Sequence, residues 1–539
     1  MTYFLSTKVA ACYVWIEGEI MIIKRFLMPG YYREIRTRLV SISFPSLRRS
    51  WSGKPGVLII LLMFGLLCLP DLHADESVLS YQQSSTRHQG QFNGQTVDYT
   101  AVIEETLVTD GEEGPSARLV SISYIRDGIA DSTSRPVIFI FNGGPIVPSI
   151  YLHMAAFGPK RIAFSDNLEE DPATFPLAAN SYTVLDAADL VFFDPAETGF
   201  SCVSEGTAPD AYFSVEADAR QLTQFIEAWS RNHGRLDSPK YIFGESYGTL
   251  RAAVAARQLT HLNPPVRLDG VFLMGQALNI IEMSSRPGNI IGYVVSLPTL
   301  AALGWYHGRV ERGDRTFEQF LEEVRLFART EYLTALFQGN TLPPTKRDRI
   351  AHRLAEFTGL PLDLYIENDI RIRKIPFRSL LLKDKGEVLG YYDGRYTEAA
   401  VEEGQTPDPS RRINAAVISG FKIYAQEELG LDVTDYKTGP PVKGLEGWKW
   451  GGTTPFSDWP YMESLRMAML KNPDLRVVVG AGYHDLTTTI GASEYAIAQS
   501  GWSKDRVRMA HYEGGHMAYS VEKSLKEMMD DVRALLGVR

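Results

Sequence analysis

Residues 241–252 read YIFGESYGTLRA, an apolar run followed by Gly-x-Ser-x-Gly and then by a helix-forming run. Glycines at 244 and 248 flank Ser246, and glycine lets the chain turn sharply and approach its neighbours closely. A serine in such a strand-to-helix turn is typical of a nucleophile elbow. The same spacing also occurs in ordinary turns, so the rest of the chain must decide between a reactive serine and a turn.

Apolar runs and helix-forming runs alternate on both sides of this stretch. Four short apolar runs predict buried strands: PVIFIF (136–141), DLVFFD (189–194), KYIF (240–243) and GVFLMG (270–275). Helical spacing follows two of them, at 214–233 and 249–262. This order is typical of a parallel sheet with crossover helices, and the alternating polarity of residues 75–135 predicts antiparallel strands before it.

The alternation is lost after about residue 285. Residues 285–445 contain amphipathic helical pieces such as RTFEQFLEEVRLFARTEYLTALF (315–337). We therefore predict an α/β fold with a mostly parallel central sheet, flanking helices and an inserted, mainly helical cap at 285–445. The two parts of the core are predicted at 75–284 and 446–539.

The first 74 residues have the pattern of a leader segment. GVLIILLMFGLLCL (56–69) is an uninterrupted apolar run preceded by basic residues, and LHA (72–74) follows as a cleavage-site pattern. The run is short for a membrane span, which needs about 20 apolar residues. We predict an exported, periplasmic or extracellular protein cut near Asp75, and an uncut signal anchor is the alternative.

Charge and cysteine content narrow the class of partner. The chain of 539 residues has a formal net charge of −10, which gives no general attraction to nucleic acid or to anionic lipid. Only Cys202 lies beyond the leader, so a mature chain has no intrachain disulfide, which suits a bacterial envelope better than a eukaryotic secretory route. We expect no nucleic-acid partner and no membrane contact beyond the leader, and we leave a homodimer open.

A serine nucleophile needs a base, and in this kind of fold the acid and the base follow the serine in that order. RVVVGAGYHD places Asp485 just after an apolar run, and RMAHYEGGHMAY places His516 in a glycine-rich loop. His484 and His511 are the competing bases, and we interpret both as supporting or solvated residues. Asp485 is alternatively an N-cap for the helix-forming run that follows it.

An oxyanion hole needs two backbone N–H donors, one of them from the residue after the nucleophile, here Tyr247. The glycine-rich FNGGP (141–145) after an early strand supplies the other, which we place at Gly144. A tight turn is the alternative interpretation of this segment.

Taken together, these motifs resemble the serine carboxypeptidases of the α/β-hydrolase superfamily. The resemblance is carried by FNGGP, FGP (157–159), NSYTVLDAADLVFFDPAETGFS, GESYG, VVVGAGYHD and GGHMAY. It implies a catalytic triad of Ser246, Asp485 and His516, with an oxyanion hole at Gly144 and Tyr247. It also implies that Asn142, Gly143 and Glu245 bind the terminal carboxylate of a peptide, with no cofactor and no metal.

The sequence departs from the family pattern around the implied carboxylate site. Many members have a second glutamate before FGP, where this chain has Ala156. Residues 146–149 are Ile-Val-Pro-Ser where Gly-x-Ser-Ser is common, and Glu197 replaces a usual glycine. These departures affect the expected carboxylate binding and acid pH optimum, but they leave the implied triad complete.

The sequence thus predicts an exported serine-type carboxypeptidase that acts on peptides through an acyl-enzyme. An esterase or acyltransferase with the same triad, acting on a small ester, is the first alternative. A catalytically silent binding protein is the second.

Overall fold

The computed structural model describes residues 11–16, 19–24, 84–111, 114–284, 286–401, 407–439, 447–451 and 459–538. The chain divides into two compact units, Met1–Leu79 and Ser80–Arg539. In the first unit, strands β1 (Ala11–Ile16) and β2 (Glu19–Lys24) pair in antiparallel orientation. The apolar run 56–69 and the predicted cleavage segment 72–74 lie outside the described residues.

The second unit is organised around a ten-stranded sheet. The strands of this unit, in chain order, are β3 (Ser84–Phe92), β4 (Gln95–Thr109), β5 (Ser116–Arg126), β6 (Val137–Phe141), β7 (Lys160–Ile162), β8 (Leu177–Ala179), β9 (Asp189–Phe193), β10 (Cys202–Val203), β11 (Lys240–Glu245), β12 (Gly270–Met274), β13 (Glu387–Leu389), β14 (Thr397–Ala399), β15 (Arg476–Gly482) and β16 (Val507–Tyr512). The spatial order of the sheet is β16-β15-β12-β11-β6-β9-β5-β4-β3, and β10 pairs with β5. The pairs β7–β8 and β13–β14 form separate two-stranded sheets.

The pairing of neighbouring strands changes once across the main sheet, from parallel to antiparallel. From β16 to β9 all neighbours are parallel, whereas β9, β5, β4 and β3 pair in antiparallel orientation. Every residue of β6, β9, β11 and β12 is buried, as expected for parallel strands covered on both faces. A mostly parallel sheet with β9 between β5 and β6 is typical of the α/β-hydrolase fold, and this unit has that fold. This confirms the predicted fold class.

Helices cover both faces of the sheet and fill the segment between β12 and β15. The described α-helices, in chain order, are α1 (Ile150–Leu152), α2 (Val215–Asn232), α3 (Gly248–Leu259), α4 (Ile280–Met283), α5 (Ile290–Tyr306), α6 (Phe317–Phe327), α7 (Leu333–Gln338), α8 (Pro344–Thr358), α9 (Leu362–Glu367), α10 (Lys374–Leu380), α11 (Ile413–Glu427), α12 (Tyr461–Lys471), α13 (Ile490–Gln499) and α14 (Glu522–Leu536). A π-helical turn, His153–Phe157, continues α1. None of these helices combines the length and the apolarity needed to cross a bilayer.

The sheet separates two apolar cores because alternate strand residues point to opposite faces. Phe139 packs edge-on against Phe225 and Trp229 of α2, with ring centroids 6.2 and 5.5 Å apart. Its neighbours Ile138 and Ile140 belong to the core on the other face, which α11 and α14 cover. The central strands lie between these two cores. The loops that carry Ser246, Asp485 and His516 follow β11, β15 and β16.

The segment between β12 and β15 is mainly helical, as predicted. Helices α5 to α10 share an apolar core that also includes Ala481, Leu486 and Ile490 at the end of β15 and beyond. The segment therefore packs directly on the end of β15 and on the residues that follow this strand. The domain boundaries at 284 and 445 remain predictions.

Candidate active site

Ser246 lies in a sharp turn between β11 and α3. Its φ is +57°, in the left-handed region that residues with a side chain rarely adopt, and its N–H donates to Met274 O at 2.8 Å. A Cβ on Gly244 would lie 2.6 Å from Gly248 O, so this close approach requires glycine. The backbone is strained at Ser246 and crowded beside it, which is the geometry of a nucleophile elbow.

His516 and Asp485 are brought together from two different loops. Nδ1 of His516 lies 2.6 Å from Oδ2 of Asp485, and both side chains are buried. Asp485 also accepts hydrogen bonds from Thr487 N at 2.6 Å and from Thr488 N at 3.0 Å. Since a carboxylate only accepts hydrogen bonds, Nδ1 carries the proton and Nε2 of the neutral ring is left as a base.

The surroundings of His516 oppose one another in their effect on its pKa. Burial lowers this pKa, while the charge and hydrogen bond of Asp485 raise it, and the net pKa lies above the ordinary value of 6.5. The charge of Glu245 adds to the rise and that of Lys374 opposes it. A histidine with this environment takes up a proton readily, as a general base must.

The alternatives for these two residues do not fit the structure. Helix α13 begins at Ile490 with Thr489 at its N-cap, so the N-cap interpretation of Asp485 is wrong. His484 is buried, and burial lowers its pKa to about 3, while His511 bonds Glu494 at 2.9 Å. His484 and His511 are absent from the described lining of the cavity that contains Ser246 and His516.

The loop predicted to form the oxyanion hole lies against the elbow. A Cβ on Gly143 would lie 2.5 Å from Tyr247 N, so only glycine allows this approach. Gly144 is exposed and has a φ of +109°. Among the described residues, the backbone N–H groups of Gly144 and Tyr247 have no hydrogen-bond acceptor, and both residues line the cavity. Two unpaired donors beside a serine are the requirement of an oxyanion hole.

A buried ion pair fixes the oxyanion loop to the elbow. Arg251 donates to Asp218 at 2.8 Å and to Asn142 O at 2.9 Å, and Tyr247 Oη donates to Asp218 at 2.9 Å. Arg251 and Asp218 are almost fully buried. Sequence analysis did not find this pair, because charged residues on helices are usually solvated. The weak signal was Asp218 between apolar positions of α2.

Glu245 and Asn142, predicted to bind a carboxylate, contact each other. Asn142 Nδ2 donates to Glu245 Oε2, and Tyr519 Oη donates to Oε1 at 2.7 Å. Burial raises the pKa of Glu245, and the charge of His516 and these two donors oppose the rise. Ala156, at the place of the second glutamate, is fully buried in the π-helical turn. The polar groups at this site are thus satisfied largely by one another.

The other departures from the family pattern have clear backbone consequences. Glu197 has a φ of +69°, where glycine is favoured, and its carboxylate bonds Lys437 at 3.0 Å. Ile146 has a φ of +58°, which is strained for a β-branched residue. Both side chains therefore occupy positions whose backbone conformation suits glycine.

A cavity of about 1020 Å³ lies over the elbow. The core contributes the oxyanion loop, the elbow, the segment after β12 and the histidine loop. The described lining residues on the other side come from the inserted segment and the residues near it: Arg373, Lys374, Ile375, Pro376, Tyr391, Tyr392, Asp393, Ser410, Arg411, Ile413, Asn414, Thr438 and Trp450. The insertion therefore forms one wall of the site.

The insertion also binds the histidine loop directly. His516 N donates to Tyr392 O at 2.6 Å, and Gly515 N donates to Asp393 Oδ2 at 3.0 Å. A Cβ on Gly515 would collide with Tyr392 O, so glycine is required there. Asp393 pairs with buried Arg395 at 2.6 Å. Sequence analysis missed the two contacts with the histidine loop, because they join segments more than 100 residues apart.

The described residues contain no group of three or more His, Cys, Asp and Glu side chains that can hold a metal ion.

Residues 124–279 match the family model of the serine carboxypeptidases. The matched segment runs from β5 to the turn after β12. It includes the oxyanion loop and the elbow but not Asp485 or His516. No curated protein matches the chain.

Three solved structures that are similar to this chain have low sequence identity to it. The prohormone-processing carboxypeptidase Kex1(Δ)p of Saccharomyces cerevisiae is 15% identical over 81% of this chain and 91% of its own, with a TM-score of 0.49. A proline iminopeptidase of Mycobacterium smegmatis is 12% identical over 80% of this chain and 98% of its own, with a TM-score of 0.34. A lipase in its open form is 15% identical over 81% and 98%, with a TM-score of 0.31. The fold assignment therefore rests on the strand order itself.

Proposed function

We propose that this protein is a serine hydrolase that removes C-terminal residues from peptides. The observation that carries the proposal is a serine at positive φ that lines one cavity together with His516, whose Nδ1 is paired with buried Asp485. The family match over residues 124–279 supports the carboxypeptidase reaction.

In the proposed mechanism, Ser246 Oγ attacks the scissile carbonyl while Nε2 of His516 accepts its proton. The N–H groups of Gly144 and Tyr247 stabilise the oxyanion of the tetrahedral intermediate. The imidazolium, held by Asp485, gives its proton to the departing amine, which leaves an acyl-enzyme. Water then attacks the acyl-enzyme by the same route, and the acid product and free Ser246 are released.

The terminal carboxylate is proposed to enter near Asn142, Gly143 and Glu245. The second candidate function, hydrolysis or transfer of an ester acyl group, is favoured by Ala156, because the second carboxyl is absent. Digestion of a peptide library followed by mass spectrometry separates the two. Stepwise loss of C-terminal residues supports the carboxypeptidase. Activity on esters without any shortening of peptides contradicts it.

We expect Asp393 to position His516 through its hydrogen bond to Gly515. Removal of Asp393 alone leaves Arg395 buried without a partner, which can unfold the chain, so both are changed. Asp393→Ala with Arg395→Met should lower kcat by about 100-fold with little change in KM, since small displacements of a catalytic group have effects of that size. Asp393→Asn with Arg395→Met keeps an acceptor for Gly515 and should restore most of kcat. Equal kcat in the two folded variants would contradict the positioning role.

Export is proposed from the apolar run 56–69, the basic residues that precede it and LHA (72–74). N-terminal sequencing of protein from the cell envelope or the medium should give a start near Asp75. A mature protein that retains residues 56–69 would show that the leader is not cut.

A further inference from the structure

One wall of the catalytic cavity carries three cationic side chains. Arg373 and Lys374 lie at the start of α10, and Arg411 lies just before α11. The chain as a whole has a formal net charge of −10, so this concentration of positive charge is local. A cleft lined by one sign of charge attracts ligands of the opposite sign.

Lys374 is a buried cation without a carboxylate partner. Its residue is 8% exposed, and its ammonium donates to Thr487 O at 2.6 Å. Within the described chain no Asp or Glu oxygen lies within ion-pair distance of it. An ammonium has three N–H donors, so further donors are available to a ligand. Burial lowers the pKa of Lys374 to about 8 against the opposing charge of Asp485, and the charged form still predominates at pH 7.

The two arginines differ in how they are held. Arg373 is exposed, and its side chain has no hydrogen bond or ion pair with any other described residue. Arg411 lies over the Tyr392 ring at 5.2 Å and 3.6 Å from Asp408. Arg373 is therefore the cation most available to a ligand in the cavity.

The acidic residues of the lining do not neutralise these cations. The pKa of Glu245 is raised by burial, and its oxygens accept from Asn142 and Tyr519. Asp393 is occupied by Arg395 at 2.6 Å. Arg373 and Lys374 thus have no ion-pair partner among the described residues, whereas Arg411 pairs with Asp408.

We propose that Arg373 and Lys374 bind a carboxylate of the substrate. The inference rests on the proposed function and names its substrate class, because both cations line the catalytic cavity and neither has an ion-pair partner among the described residues. A guanidinium and an ammonium are positively charged and donate hydrogen bonds directly to an ionised carboxylate. A glutamate, in contrast, must be protonated before it can donate a hydrogen bond to a carboxylate. The carboxylate is either the C-terminal α-carboxylate, which then binds here in place of the site at Asn142, Gly143 and Glu245, or the side chain of an acidic C-terminal residue, which binds here in addition to that site.

Four matched peptides distinguish these sources. Two peptide sequences, one ending in Glu and one ending in Gln, are each prepared as the free acid and as the C-terminal amide. Wild-type kcat/KM should be higher for the free acid than for the amide, or higher for the Glu peptide than for the Gln peptide. Arg373→Gln should reduce that preference by about tenfold, mainly through KM. Loss of the acid-over-amide preference identifies the α-carboxylate, and loss of the Glu-over-Gln preference identifies the side chain. The matched control, Arg349→Gln in α8, removes an exposed charge outside the cavity lining and should leave both ratios unchanged.

Lys374→Met provides a second test in case Arg373 contributes little. Lys374 also acts on the charge of Asp485, so only the ratio between paired substrates is used, because a general loss of rate cancels in it. Labelling of Ser246 by a fluorophosphonate is measured in each variant. If the wild type is folded but unlabelled, the proposed function fails. If it is labelled but neither Arg373→Gln nor Lys374→Met changes either ratio, the carboxylate site is overturned.

Discussion

Replacement of Ser246 by alanine is expected to lower kcat by about 10⁶-fold, because the members of a triad act as a unit. The variant removes only a hydroxyl, and the strained φ of +57° at this position is as accessible to alanine as to serine. Turnover is measured with peptide acids over long incubations. The fold is checked by circular dichroism and thermal melting.

Ser520→Ala is the matched control, since Ser520 is another serine in the lining of the same cavity. Its kcat should stay close to that of the wild type. A folded Ser246→Ala protein with near-normal turnover would remove the mechanism entirely.

Asp485→Asn is expected to lower kcat by about 10⁴-fold while the fold is kept. The carboxylate fixes the proton on Nδ1 of His516 at 2.6 Å, and an asparagine amide can donate there instead and stabilise the wrong tautomer. Thr487 N and Thr488 N keep an acceptor in the amide oxygen, which preserves the local turn. An activity within tenfold of the wild type would show that Asp485 does not orient the histidine.

The same variant changes the pH dependence of kcat/KM in a defined direction. Catalysis needs neutral His516, so activity rises as pH increases through its pKa. In the wild type this limb should lie above the ordinary 6.5, because Asp485 outweighs the effect of burial. In Asp485→Asn the burial remains and the charge is lost, so the limb should move to lower pH. The measurement is kcat/KM between about pH 4 and 9, and a limb that stays in place would contradict the assignment of His516 as the base.

The parts of the site that sequence analysis predicted are those set by local chain geometry. The apolar run 136–141 appears as Val137–Phe141, and GESYG lies between β11 and α3 as expected. Asp485 and His516 could be placed because each follows a strand, and parallel strands bring their carboxyl ends to one edge of the sheet. Their catalytic roles remain predictions, although the structure brings their side chains within 2.6 Å of each other.

Contacts between distant segments could not be predicted in the same way. Gly515 N donates to Asp393, which lies more than 120 residues earlier in the chain, and no sequence motif contains both residues. Arg251 and Asp218 lie on helices whose charged residues read as a solvated face, yet both are buried. The positive wall of the cavity depends on where the insertion packs. The hydrophobic periodicity of the insertion predicts its helices, but it does not predict which parts of the core those helices contact.

Covalent labelling of Ser246 tests the central claim most directly. The folded wild-type protein is treated with a fluorophosphonate, digested and analysed by mass spectrometry. We predict one adduct, on Ser246, which is absent in Ser246→Ala and forms more slowly below the pKa of His516. A folded wild-type protein that forms no adduct, or forms it on another residue, would contradict the assignment of Ser246 as the nucleophile.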